Sequence, residues 1–124
     1  MNIRISARVY PSEDLNKVIK AINNLFGRLE LEFKEGEIYF LSSEFNLLRK
    51  VKEGIRSKEA LPTFKRILLN NKSNNFTWFY LNKQAAYMGK VYLCEEEGES
   101  PLKPIKVEIH SDKIDEILNL LTSP

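Results

Sequence analysis

The chain has 124 residues, 43% of them hydrophobic and 29% charged, with a formal net charge of +2. This size and balance fit one globular domain that buries about two thirds of its unfolded surface, and they exclude a disordered chain. No apolar run approaches the ~18 residues of a membrane span, and Cys94, the only cysteine, excludes an intramolecular disulfide.

Asn2–Tyr10 alternates as a strand, with Ile3, Ile5, Ala7 and Val9 on one face and Arg4, Ser6, Arg8 and Tyr10 on the other. Pro11 ends the ladder. Ser12 is the predicted N-cap of a helix, with Glu13 and Asp14 at its positive end. In that helix Leu15, Val18, Ile19, Ile22 and Phe26 recur at helical spacing, and Gly27 closes it. Leu29, Leu31 and Phe33 then alternate with charged residues as a second strand, and Glu35-Gly36 is a tight turn into a third, Glu37 to Leu41. Ser42 or Ser43 is placed to cap a helix carrying Leu47, Leu48, Val51 and Ile55. A further helix carries Leu61, Phe64, Ile67 and Leu68, with Pro62 allowed in its first turn.

Asn70–Asn75 reads as a loop and Phe76–Leu81 as an aromatic strand. Tyr87–Cys94 is a predicted strand in which Gly89 marks a bulge or close backbone approach. Glu95–Pro104 is an acidic loop, Ile105–His110 the last strand, and Ser111 caps a final helix bearing Ile114, Ile117, Leu118 and Leu121. The predicted order is β-α-β-β-α-α-β-β-β-α. It describes a single α+β domain over residues 1–124, with a mostly antiparallel mixed sheet of about six strands and helices on one face.

Catalytic and metal-binding templates fail. The glycines are dispersed, so no loop cradles phosphate, and one histidine with one cysteine cannot build a zinc site. His110 has no nucleophile or acid partner at a recognisable spacing, and Cys94 reads as a small core residue. Glu95, Glu96, Glu97 and Glu99 read as a solvated acidic loop. No catalytic residue, metal or cofactor is expected. The opening MNIRISARVY alternates instead of forming the apolar core of a secretion signal, and the lone cysteine fits a reducing cytoplasm.

Charge is unevenly distributed. Ser42–Lys90 holds ten basic and three acidic residues, whereas Val91–Pro124 holds three basic and eight acidic ones. Opposed blocks of this kind either pair within the fold or leave a basic face for a polyanion. Three clusters suit nucleic acid. Arg49, Lys52 and Arg56 form a stripe at helical spacing, a pattern that solvated helix faces share. Arg4 and Arg8 share the polar side of the first strand, near strands carrying Trp78, Tyr80, Lys90 and Tyr92, as on sheets that stack bases; packing also places aromatics on strands. Asn82, Lys83 and Gln84 form a polar cluster that either reads a base edge or caps a turn.

VYPSED (Val9–Asp14), KVIKAINNLF (Lys17–Phe26), LNKQAAYMGKVYL (Leu81–Leu93) and PLKPIKVEI (Pro101–Ile109) follow one another in fixed order. Together they resemble a small archaeal family of uncharacterised proteins, over nearly the whole chain. Ser12 stands where that family has threonine and Lys103 where it has glycine. The resemblance implies an α+β fold related to the ribosomal large-subunit protein that contacts 5S RNA. It also implies an exosome-associated RNA-binding role, and no catalytic residue. RNA is therefore the expected partner, contacted by Arg4, Arg8, Arg49, Lys52, Arg56, Asn82, Lys83, Gln84 and Lys90. The alternative is a protein–protein adapter or homodimer using the sheet face or an edge strand. The RNA reading requires Asn82–Lys90 to emerge, with neighbouring arginines, as one wet cationic surface.

Overall fold

The alternation in the strand segments is realised as one antiparallel sheet with two unlike faces. The computed structural model describes residues 1–99 and 101–124; Ser100, inside the loop expected over Glu95–Pro104, lies outside the described residues. The strands are β1 (Asn2–Arg8), β2 (Glu32–Lys34), β3 (Glu37–Ser42), β4 (Phe76–Leu81), β5 (Leu93–Cys94) and β6 (Ile105–His110). Their order is β2-β3-β1-β6-β4-β5, and every neighbouring pair is antiparallel. The helices are α1 (Leu15–Phe26), α2 (Arg49–Ser57), α3 (Leu61–Asn71), α4 (Lys83–Tyr87) and α5 (Ile114–Thr122).

The inner sheet face is apolar: Ile3, Ile5, Ala7, Ile38, Phe79, Leu81, Ile105, Val107 and Ile109 are all buried. Helices cover it with residues at helical spacing, such as Val18, Ala21, Ile22 and Leu25 on α1 and Phe64 and Leu68 on α3. Phe64 meets Phe79 edge-on, with ring centroids 4.9 Å apart. Each such fully buried side chain contributes about 1.5–3 kcal/mol of hydrophobic stabilisation. Thr77 is the polar exception on this face, and its hydroxyl donates to the Leu68 carbonyl at 2.7 Å.

Local signals mostly act where the sequence places them. Glu35 and Gly36 both have positive φ, 54° and 76°, the two-residue turn whose twist matches a hairpin. Pro62 sits in the first turn of α3, where its missing N–H costs nothing. Other signals are displaced. Asp14, not Ser12, caps α1 by accepting from the Asn16 amide. Ser42 accepts from the Glu44 amide ahead of a 3-10 turn, Phe45–Leu48, that leads into α2.

The predicted strand over Tyr87–Cys94 is the main correction. Only Leu93–Cys94 pairs in the ladder; Tyr87 is the last residue of α4, and residues 88–92 form the turn and irregular chain between them. Asn82 caps α4 by accepting from the Ala85 amide at 2.8 Å. At the other end the Gly89 amide donates to Ala86 and the Lys90 amide to Ala85, with Gly89 at φ +76°. This is the left-handed helix stop that glycine favours, so Gly89 ends a helix and is not a strand bulge. Asn24 on α1 then holds α4 in place, donating to the carbonyls of Ala86 and Tyr87, each at 3.0 Å.

Candidate nucleic-acid interface

Because the apolar residues of α1 to α5 share one core with the inner sheet face, the alternate residues of the central strands stand on the opposite face. Ladder register aligns them in rows. Leu41, Arg4, Glu108 and Trp78 form one row; Tyr39, Ser6, Lys106 and Tyr80 form the next. Arg8 and Glu37 extend the surface at one end. Trp78 and Tyr80 lie with centroids 4.9 Å apart, and the Lys106 ammonium is 5.1 Å from the Trp78 centroid. On the far side the Arg4 guanidinium is 5.2 Å from the Tyr39 ring. Aromatic faces and cations thus alternate across the sheet, the arrangement on which successive bases stack.

At one end of this face Glu97, Lys103 and Pro104 close a concavity of about 440 Å³. Its floor includes Ser6, Tyr80 and Lys106, and Arg4 and Arg8 also line it. Electrostatically the concavity is largely self-neutralised: Arg4 pairs with Glu37 at 2.6 Å, Lys103 with Glu97 at 2.9 Å and Lys106 with Glu108 at 3.5 Å. Arg8 is exposed and, among the described residues, makes no ion pair. Burial, then the nearby Glu97 charge, raises the Tyr80 phenol above its usual range, and the hydrogen bond to Glu32 does the same for Tyr39.

The other expected contacts separate. Lys83 is buried, and its ammonium donates to the Arg8 carbonyl at 2.8 Å and to the Glu13 carboxylate at 3.1 and 3.2 Å. Desolvation lowers its pKa from the ordinary lysine value, an effect the Glu13 bonds oppose. Asn82 is spent on its cap. The segment Asn82–Lys90 therefore does not emerge as one cationic surface, and the RNA site expected on it loses its physical support; only Gln84 and Lys90 among the residues expected there turn outward.

The α2 stripe dissolves too. Lys52 donates to the Leu120 carbonyl at 2.6 Å, satisfying the end of α5, and Arg56 pairs with Glu53 at 2.7 Å. Arg49 alone stays exposed without an ion pair among the described residues. The opposed charge blocks partly pair within the fold, through Arg66 with Glu95 and Lys72 with Asp115. Reading by residue type missed Tyr39, Lys103 and Lys106, which join the face only through ladder register and loop path.

No described helix is long and apolar enough to cross a membrane, and no group of three potential metal ligands occurs among the described residues. Cys94 is buried, and burial raises its thiol pKa, which leaves it a packing residue.

Comparison with known proteins adds four findings. A family model described as RNA binding matches residues 2–111. A UPF0201 protein of Sulfurisphaera tokodaii is 40% identical over 124 residues, covering 97% of this chain and 86% of that one. The crystal structure of a UPF0201 protein from Methanococcus jannaschii superposes with a TM-score of 0.84 at 32% identity, covering 100% of this chain and 94% of that one. A second UPF0201 crystal structure gives a TM-score of 0.83 at 29% identity.

Proposed function

Since this chain belongs to the archaeal UPF0201 family and to the RNA-binding family whose model spans residues 2–111, we propose that it binds single-stranded RNA on the open face of its sheet. Tyr39, Trp78 and Tyr80 provide the stacking surface, Arg8 takes a phosphate, and Arg4 and Lys106 support the rings. The observation that carries this reading is the uncovered sheet face itself, with aromatic rings and cations alternating around a concavity of about 440 Å³.

Stacking dominates here and charge is secondary, because most cations on the face already hold acidic partners. Affinity is expected to fall only gently with salt, with a log–log slope on the order of −1 to −2, at about −0.7 per phosphate neutralised on a single strand. Fluorescence anisotropy of a labelled single-stranded RNA at low and at physiological salt measures it. No binding at low salt ends the proposal, and a much steeper slope moves the site to a surface of unpaired lysines.

A second reading, self-association, is favoured by the free edge of β2. The left-handed turn makes Lys34 and Glu37 the hydrogen-bonded closing pair, so alternation points the Phe33 N–H and C=O outward. Phe33 is 56% exposed and Leu41, on the neighbouring strand, 63%. Two copies paired about a two-fold axis at Phe33 set Glu32 of each opposite Lys34 of the other. Glu32→Lys and Lys34→Glu are each expected to give monomers, and an equimolar mixture of the two to give heterodimers. Light scattering that finds the unaltered protein monomeric at high concentration removes this reading.

A further inference from the structure

A second concavity of about 500 Å³ opens between α1 and α4, walled by Val18, Ala21, Tyr87, Met88 and Leu102. Its volume falls within the range of pockets for small organic ligands, and its walls are those such pockets use, mostly apolar with few polar groups. The Lys83–Glu13 ion pair closes one part of it and is satisfied internally. Gln84 is exposed at the lip and, among the described residues, its amide makes no hydrogen bond. Lys17 and Lys20 stand 5.9 and 4.9 Å from the centroid of the Tyr87 ring, and among the described residues neither makes an ion pair. The Asn82 cap and the Gly89 stop give α4 only the length that turns Gln84 and Met88 outward, and Met88 is 70% exposed.

This cleft and the sheet concavity adjoin. Leu102 lines the cleft, while the next two residues, Lys103 and Pro104, line the sheet concavity. The Arg8 carbonyl holds Lys83 beneath the cleft, while the Arg8 side chain faces the sheet concavity. Only the end of β1 separates the two.

We propose that the α1–α4 cleft receives one unstacked base of the RNA strand that lies on the sheet. The strand turns over the end of β1 past Arg8 and Lys103. The base enters the apolar walls, Gln84 bonds its edge, and Lys17 and Lys20 meet the adjoining phosphates. A glutamine amide offers both donors and an acceptor, so it can pair with a base edge, and splayed single-stranded bases are the form in which RNA is usually read. This inference rests on the sheet-face reading above.

The test is photo-crosslinking with a single-stranded RNA of about twelve nucleotides, within the site sizes of such platforms. It carries one 4-thiouridine, moved along the strand, and crosslinked peptides are identified by mass spectrometry. Thiouridine near one end of the bound strand is expected to attach to the segment Gln84–Met88, and interior positions to Trp78–Tyr80. Gln84→Ala and Lys17→Ala are each expected to weaken RNA binding about three- to tenfold without altering the sheet crosslinks or the melting temperature. Crosslinks confined to the sheet at every position overturn the cleft assignment and leave the sheet reading intact. Uridine monophosphate filling the cleft more tightly than the strand overturns it in favour of a free nucleotide. No RNA bound at low salt overturns both.

Discussion

Replacing Lys83 with methionine is expected to destabilise the fold by about 3–5 kcal/mol while leaving affinity for RNA nearly unchanged. Lys83 and Glu13 side chains are only 5% and 7% exposed, so the pair is out of water. Deleting the ammonium strands a buried carboxylate and the Arg8 carbonyl, which it also holds. The loss is a large fraction of the 5–15 kcal/mol that stabilises a typical domain. Denaturant unfolding measures it, and a double variant, Lys83→Met with Glu13→Leu, is expected to recover part of it, because no charge is then left buried, although the Tyr10 amide and the Arg8 carbonyl lose these partners. A small loss of stability together with a large loss of RNA affinity would return Lys83 to the surface role that residue type alone gives it.

The second large effect concerns the stacking surface. Trp78→Ala with Tyr80→Ala is expected to reduce RNA affinity by about 2–4 kcal/mol, roughly thirtyfold to nearly a thousandfold, since base–aromatic stacking is worth about 1–3 kcal/mol per base. The ring centroids lie 4.9 Å apart, so the two losses are coupled and the double variant loses less than the sum of the single ones. Both stand on the uncovered face, away from the apolar core, so circular dichroism and the melting temperature should show a folded protein. Unchanged affinity in a folded double variant would place RNA elsewhere.

The strands and long helices were legible because their signals are local. In β4, Thr77, Phe79 and Leu81 alternate with Phe76, Trp78 and Tyr80, and the structure buries the first set and leaves the second part-exposed. The inward residues of α1 recur at helical spacing within a dozen positions. The neighbours of β1 were not legible. Ser6 meets Tyr39 on one side and Lys106 on the other, residues far apart in the chain.

The motif LNKQAAYMGK shows the limit most clearly. Tyr87, Val91 and Tyr92 have strand preferences, which suggested a strand with Gly89 as its irregularity. The helix signal was also present: an asparagine cap at Asn82, two alanines, and a glycine seven residues after the cap. Tertiary packing on α1, through Asn24, decides between them. Lys83 was misplaced for a harder reason. Nothing near it in sequence announces burial; Glu13 and the Arg8 carbonyl lie at sequence separations of 70 and 75. Lys52 likewise reads from sequence as an RNA contact, because its acceptor belongs to the far end of α5. Charge counts locate cations, but only the fold shows which of them already have a partner.

Trp78 is the single tryptophan of the chain and lies on the open sheet face, so its fluorescence reports directly on that surface. A titration with single-stranded RNA, followed by tryptophan emission and by anisotropy of the RNA label, reads occupancy and location together. Bases laid on the sheet should quench Trp78 in parallel with the anisotropy rise and to the same saturation point. A complex that forms by anisotropy while Trp78 emission stays constant would contradict a sheet-bound strand.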